Sequence, residues 1–507
     1  MKTNKIRLLV FGFWLIVGQL YAQLQQSARV EFLTADRNIE ENFDVTPLNK
    51  TGLLVTHRKD EFYKGENWSF HSYDTTLHER WRTDFKLDDK LHAVRSYNNQ
   101  QFLYWIFEER DTEKFTILRL DLQHGETDVF QGKLPTEVDI HHFKVMGNMA
   151  YIGGYYRTRP VVMVFSFFDS SVKVLPYLYT ENTEISSIDI DEAHNELMVI
   201  LYTTKGRNCQ FSLKTYSYQG QLLRTTTMPS DTKNSLISGK ALPFDGQNSL
   251  LIGNYSQGCT QYSQGLFFSR IQNGEAESLQ WVDFGELENF FNYLKPKRKQ
   301  RTIDRISRQK EEGREPKFRY RLLVHDILDT DNELVFVAEV FYLNGKTSNT
   351  MLASSKLVEN YTYTHAIVCG FDKKTGKLLW DNCLPISDLT SFELLKMIQV
   401  TEQNGKLVLA YPKEGKIYTE VIEKNKVVRQ PEEFEIKSAL TDEKVTDNNN
   451  QQVAAWYDSH FLVYGYQKVS NDKSNISSRE VFYINKLAYD LNAAPQEPST
   501  KKRKSKP

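Results

Sequence analysis

Short apolar runs separated by polar turns recur along the whole chain, and the i, i+3, i+4 spacing of an amphipathic helix is almost absent. One unit repeats: a tight polar turn, then a run rich in β-branched and aromatic residues. It begins at Thr51, Gln100, Asn148, Asn195, Asn248, Asn332, Asn404 and Ser459, which makes eight copies. Representative copies read Asn148-Met-Ala-Tyr-Ile-Gly-Gly-Tyr-Tyr and Asn404-Gly-Lys-Leu-Val-Leu-Ala-Tyr. A strand–turn–strand unit follows most of them, as in Leu118-Arg-Leu-Asp-Leu-Gln-His-Gly-Glu-Thr. Where nothing is inserted the period is about 50 residues, enough for four short strands and their turns, the content of one propeller blade.

The pattern predicts an all-β chain folded as a single β-propeller over 23–490, eight-bladed, with one helical insertion. Seven blades come second and a pair of β-sandwiches third. The last blade ends at its third strand, Glu480-Val-Phe-Tyr-Ile-Asn-Lys-Leu-Ala. Its missing fourth strand is expected to be Ala28-Arg-Val-Glu-Phe-Leu-Thr34, a closure that removes two open sheet edges. In the sixth copy, Asp372, Thr375, Gly376, Lys377 and Trp380 follow the order strand–Asp–turn–Thr–Gly–Lys–strand–Trp. That segment resembles the repeat of quinoprotein-like propellers, and Tyr73-Asp74 with Trp81 is the nearest second copy. The resemblance implies kinship of fold. That family holds both quinone-dependent dehydrogenases and non-enzymatic assembly propellers, so it does not choose a function.

Two features break the regular pattern. The interval 285–321 carries an apolar stripe, Leu287, Phe290, Phe291 and Leu294, at i, i+3, i+4, i+7 and is read as a helix broken by Pro296. Lys297 to Lys310 then reads as a basic helix, ended by Gly313 and Pro316. From Lys295 to Arg321 there are twelve Lys or Arg against four Asp or Glu. The second feature is a long connection from Leu343 to Asn360. Both, together with Cys209 and Cys259, fall on links that emerge on one face of an antiparallel-bladed propeller, around blades four to six. Lys297, Arg298, Lys299, Arg301, Arg305 and Arg308 are therefore the candidate partner-binding residues, set against the plainer reading of a solvated helix face.

The first residues change the compartment. Lys2, Lys5 and Arg7 precede the apolar run from Leu8 to Val17 and a small residue at Ala22, the layout of a cleavable signal peptide over 1–22. The Ala–Gln cleavage context resembles exported proteins of Bacteroidetes-type bacteria. The mature chain is expected to be periplasmic or secreted, monomeric, and without a membrane span. Export makes Cys209, Cys259, Cys369 and Cys383 candidates for disulfides, with four buried thiols as the alternative. Residues 491–507 read as a disordered basic tail.

Charge completes the picture. The chain holds 64 Lys and Arg against 65 Asp and Glu, yet without the signal, the basic insertion and the Lys501–Lys506 run the remainder carries −17. Nucleic acid is not expected as a partner; an envelope protein or an anionic surface is.

Chemistry is sparse. There is no GxSxG, HExxH, P-loop or GxGxxG pattern, and no CxxC spacing. Asp139 with His141-His142 does not make a metal site, because adjacent strand residues point to opposite faces. The acids Asp326, Asp329, Asp331 and Glu333, and the pair Asp189 and Asp191, read as turn formers. No cofactor and no metal are expected. The expectation is therefore an exported non-catalytic propeller that docks a partner through the basic face. The alternative is a propeller enzyme or binder acting on an envelope or extracellular glycan or peptide, with its active site in the central funnel.

Overall fold

A computed structural model describes residues 24–491, apart from 35–39, 62–64, 180, 206–207, 229–232, 246–247, 331–332, 347–356, 441 and 472–477. Eight antiparallel sheets follow one another around a ring. They are blade 1 (40–86), blade 2 (91–133), blade 3 (139–174), blade 4 (183–227), blade 5 (234–283), blade 6 (321–391), blade 7 (399–435) and blade 8 (443–489 with 24–33). The expected eight-bladed propeller is the fold. The signal segment 1–22, the tip of the long connection and most of the basic tail lie outside the described residues.

Each of the eight repeated runs is the second strand of a blade, for example Phe102–Glu109 and Met149–Tyr156. These strands read as nearly continuous apolar sequence because both of their faces are covered. In blade 6, Leu334, Phe336 and Ala338 pack toward blade 5, whereas Val335 and Val337 pack toward blade 7. The same alternation holds in blade 3, where Ile152 faces one neighbour and Tyr151 the other. The core is thus eight apolar clusters, one between each successive pair of blades, the last joining blade 8 to blade 1 through Phe43, Val55, Trp456 and Phe482.

The first strands of blades 2, 3, 4 and 5 meet in succession, and those of blades 7 and 8 meet, so the first strands lie innermost and wall the central channel. The fourth strand is outermost, with one face in water, as in Glu79–Lys86. In blade 8 that outer strand is Leu24–Leu33, paired antiparallel to Arg479–Tyr489 with Phe32 opposite Phe482. The expected closure by the N-terminal segment is what forms. Arg479 fastens it, donating to Glu31 at 2.6 Å and to Glu443 of the innermost strand at 2.8 Å.

The Asp–turn–Thr–Gly element is a hairpin device. Asp372 accepts hydrogen bonds from the backbone N–H and the hydroxyl of Thr375, and Asp74 does the same for Thr76. Gly376 sits at φ +69°, where a Cβ would also strike the ring of Phe268 in blade 5. The turn therefore fixes the hairpin and lets it close against the preceding blade.

The insertion departs from expectation in its first half. The stripe Leu287–Leu294 is not an α-helix; only Phe290–Tyr293 forms a 3-10 turn. The carboxylate of Asp381 accepts the N–H groups of Glu288 and Asn289, holding the segment short, while Phe290 stacks on Phe284 and packs against Tyr320. The basic helix, α1, runs Pro296–Glu311. Pro296 starts this helix rather than merely breaking the one before, since the first turn has no use for its missing N–H. Gly313 follows at φ +68°.

Candidate functional site in the central channel

Ionisable side chains converge on the channel from the innermost strands. Blade 3 supplies His142 and Lys144 on Asp139–Met146, blade 4 supplies Asp189 on Thr183–Asp191, and blade 5 supplies Lys240 on Asn234–Asp245. Blade 6 adds Asp326, in the short link between Arg321–Val324 and Leu328–Asp329, and Lys396 precedes the first strand of blade 7, Gln399–Gln403. The charges of Asp189, Lys240, Asp326 and Lys396 all act on Lys144. Groups from blades 3, 5, 6 and 7 come within that range only across the channel.

The centre of the group is Lys240. Its ammonium lies 3.9 Å from Asp189 and 3.5 Å from Asp326, bridging the two carboxylates. Asp326 also accepts a hydrogen bond from Lys396 at 2.9 Å, and Asp189 accepts one from Ser187 at 2.8 Å. The environments of the two acids differ in consequence. Burial pushes the Asp189 carboxyl above its ordinary range, against the pull of Lys240. For Asp326 burial pushes upward too, but the hydrogen bond and charge of Lys396, with Lys240 beside it, outweigh it and hold the carboxylate low. Burial also lowers the Lys144 ammonium and brings His142 down to about 4, so that imidazole is neutral at pH 7.

A pair of acids displaced in opposite directions is the arrangement from which a general acid and a general base are made. The ammonium between them separates this pair from a proton-sharing dyad, in which two carboxyls touch. Both carboxylates lie within 4 Å of one nitrogen, so their nearest oxygens stand at most about 8 Å apart, an upper bound that overlaps the separation of about 5–9.5 Å between the carboxyls of glycoside-cleaving enzymes.

Sequence reasoning missed these residues. Of the acids read as turn formers, Asp191 does hold a turn, accepting from His194. Asp329 pairs with Lys373, and Glu333 accepts from the indole of Trp380 at 2.8 Å. Asp326 and Asp189 instead face the channel; Asp331 lies outside the described residues. The available signal was position: Asp189 is the polar member of the alternation Ile188-Asp189-Ile190 on a first strand, and so lies on the face opposite those two apolar residues. His141 and His142 do diverge, His141 pairing with Asp139 at 3.0 Å.

The basic residues of α1 lie at the rim. Lys297, Arg298, Arg301, Arg305 and Arg308 are exposed, whereas Lys299 is half-buried and donates to Asn292. The opposite side of the helix is anchored: Ile306 is buried in the cluster between blades 5 and 6, and Lys310 pairs with Asp283 at 3.2 Å. Of the six candidates, Arg305 lines a cavity, described below. Cys209 and Cys259 form a disulfide that ties blade 4 to blade 5 on this face, with the Tyr202 hydroxyl against both sulfurs. Cys369 and Cys383 are not bridged; both are buried thiols in blade 6, raised by burial. They sit on adjacent strands, but opposite Asp381 and Ile367 respectively rather than each other.

No known family matches the sequence, and neither does any curated protein. Solved structures are similar in fold. The polysaccharide lyase Uly1 aligns over 79% of this chain and 90% of its own, at 10% identity and a TM-score of 0.39. Prolyl oligopeptidase B from Galerina marginata aligns over 85% of this chain and 56% of its own, at 10% identity and a TM-score of 0.39. An acylaminoacyl peptidase aligns over 77% and 52%, at 10% identity and a TM-score of 0.33. The chain thus spans about half the length of these two peptidases. The expectation of a non-catalytic module docking through its basic face is corrected by the channel itself, where two acids, three lysines and a histidine converge away from the basic helix.

Proposed function

We propose that the chain is a propeller enzyme that cleaves a glycan in its central channel by general acid–base chemistry. The observation that carries the reading is the Lys240 ammonium bridging Asp189 and Asp326. Asp189, whose proton is retained more strongly, delivers it to the leaving glycosidic oxygen. Asp326, held ionised by Lys396 and Lys240, activates the attacking water. Lys240 offsets the repulsion between the two acids and steadies the negative charge as it shifts from one to the other. A peptide is the second substrate class, but two acids displaced in opposite directions favour glycoside cleavage, which needs one proton donor and one acceptor.

The reading includes export by the 1–22 segment, which would place the enzyme where extracellular or envelope glycans are found, and kinship of scaffold with quinoprotein-like propellers through the shared Asp-turn. N-terminal sequencing of the mature protein checks the first; a start at Gln23 is expected. The decisive experiment is release of reducing ends from a panel of polysaccharides. Wild-type protein should cleave at least one, and Asp189→Asn and Asp326→Asn should each slow cleavage at least 100-fold with the thermal midpoint kept. Equal rates in the variants would sink the proposal.

A further inference from the structure

A second feature of the channel-mouth face is a cavity of about 510 Å³ between α1 and blade 5. Lys233, Gln257, Arg305, Gln309, Arg314, Glu315 and Lys317 line it. The lining is wholly polar apart from Gly313. Its one acid is already engaged, pairing with Lys233 at 3.2 Å and accepting from Gln257 at 3.0 Å. Arg314 pairs with Glu312. Arg305 and Lys317 have no acidic partner among the described residues, so the cavity presents two uncompensated cations and two side-chain amides.

The chain around it is held in place rather than loosely draped. Ile306 buries the helix face behind Arg305, and Gln264 receives the Phe318 N–H at 2.8 Å and donates to the Phe318 carbonyl at 2.6 Å, fixing the irregular segment beside Lys317. The cavity is tied to the channel through the chain. Lys233 directly precedes Asn234–Asp245, the innermost strand that carries Lys240 seven residues on, about 20 Å deeper along the wall.

We infer that this cavity is a binding subsite for an acidic glycan, taking a carboxylate- or sulfate-bearing sugar of a chain whose further units lead into the channel. The inference rests on the proposed glycan-cleaving function and names its substrate class. Lining chemistry selects the ligand. A protein partner is anchored by apolar or aromatic side chains in a desolvated pocket, and this cavity has none to receive them. A lipid surface is flat and does not enter a concavity. Guanidinium, ammonium and amide groups together suit an anion with hydroxyls around it. Around the two acids, Lys144, Lys240 and Lys396 outnumber Asp189 and Asp326, which favours negative charge at that point of the channel.

The test is calorimetric binding of three tetrasaccharides of equal length, one of uronic acid, one sulfated and one neutral, to the catalytically silenced Asp326→Asn protein. At least one acidic tetrasaccharide should bind, and the neutral one should bind at least 10-fold more weakly. Arg305→Ala with Lys317→Ala should weaken the acidic ligand at least 10-fold, whereas Lys297→Ala with Arg301→Ala, on the same helix but outside the cavity, should change it less than 2-fold. Preference for uronate or for sulfate identifies the anion, and either supports the subsite. Equal loss in the two double variants, equal binding of the neutral sugar, or no binding of any acidic one would overturn it. Intact acidic-glycan binding with no cleavage by the wild type would sink the proposed reaction while leaving the subsite standing.

Discussion

Glu339 accepts a hydrogen bond from Nε2 of His325 at 2.8 Å, with Glu339 wholly buried. The same oxygen accepts the backbone N–H of Ile398 at 2.9 Å. His325 immediately precedes Asp326, and Ile398 lies two residues beyond Lys396, so one carboxylate pins both segments of the 2.9 Å Asp326–Lys396 contact. The Tyr363 hydroxyl completes the clamp, donating to the Leu395 carbonyl and accepting the Leu395 N–H. Glu339→Ala is therefore expected to lower stability by about 1–3 kcal/mol for each donor left without an acceptor. Glu339→Gln keeps an acceptor and should lose less. Urea unfolding of both variants checks the order; equal losses would mean that the clamp does not hold the link.

The Cys209–Cys259 bridge closes a 50-residue separation across two blades. In the chain-entropy account such a loop is worth about 4 kcal/mol. Cys209→Ser with Cys259→Ser should lower the denaturation midpoint in oxidising buffer, and wild-type protein treated with reductant should fall to the same value. No difference between oxidised wild type and the double variant would contradict a stabilising bridge. Changing Cys369 and Cys383 to Ala should instead shift the midpoint by the same amount with and without reductant, because neither is bridged.

Ring closure predicts its own failure. Removing 24–34 strips the outer strand from blade 8 and leaves Arg479–Tyr489 as an open edge. It also deletes Leu24, Val30 and Phe32 from the clusters that blade 8 shares with blades 7 and 1. The truncated protein should unfold at lower temperature and self-associate, as read by light scattering; a monomer of unchanged midpoint would show that closure contributes little. Arg479→Met should give a milder version of the same loss by unfastening Glu31 from Glu443.

Burial of Glu420 raises its carboxyl to about 7. Between pH 4.5 and 7 the folded chain holds a proton that the unfolded chain has lost, so this group's contribution is best at low pH and declines as pH rises. Glu420→Gln, always neutral, should stabilise the protein by roughly 1–3 kcal/mol at pH 8. At pH 4 the gain should vanish. A substitution that destabilises equally at both pH values would mean that the carboxylate has a function burial does not describe.

How far the sequence reveals the molecule follows from what each signal encodes. The second strands are legible because burial on both faces forces continuous apolar runs such as Leu103-Tyr-Trp-Ile-Phe107, whatever the neighbours are. The ring-closing strand is legible because the last blade is one strand short. Asp189 and Asp326 are not, since a channel acid and a turn acid look alike until the first strands are arranged in a circle. Asp191 and Asp189, two residues apart, have opposite roles for that reason. The stripe Leu287–Leu294 misleads because its spacing suits a helix, whereas tertiary partners (Asp381 above all) impose a short 3-10 turn instead.

Acid sensitivity provides the last test, centred on His365. Its ring is buried, stacked on Tyr293 at 3.9 Å and flanked edge-on by Phe290, and Nε2 has no hydrogen-bond partner among the described residues. Nδ1 meets the Thr364 hydroxyl. Burial pushes its pKa down to about 3. Between pH 6.5 and 3 the unfolded chain takes up a proton that the folded chain refuses, so stability present above 6.5 is lost progressively as the solution is acidified. His57 and His142, each lowered to about 4 chiefly by burial, act in the same direction over a narrower window. His365→Phe fills the aromatic niche without a titrating group. The variant should flatten the fall in unfolding free energy, measured with urea, between pH 7.5 and 4.5 by one to a few kcal/mol, with His57 and His142 contributing to the slope that remains. If the fall is as steep as in the wild type, the acid sensitivity of the protein lies elsewhere than beneath the insertion.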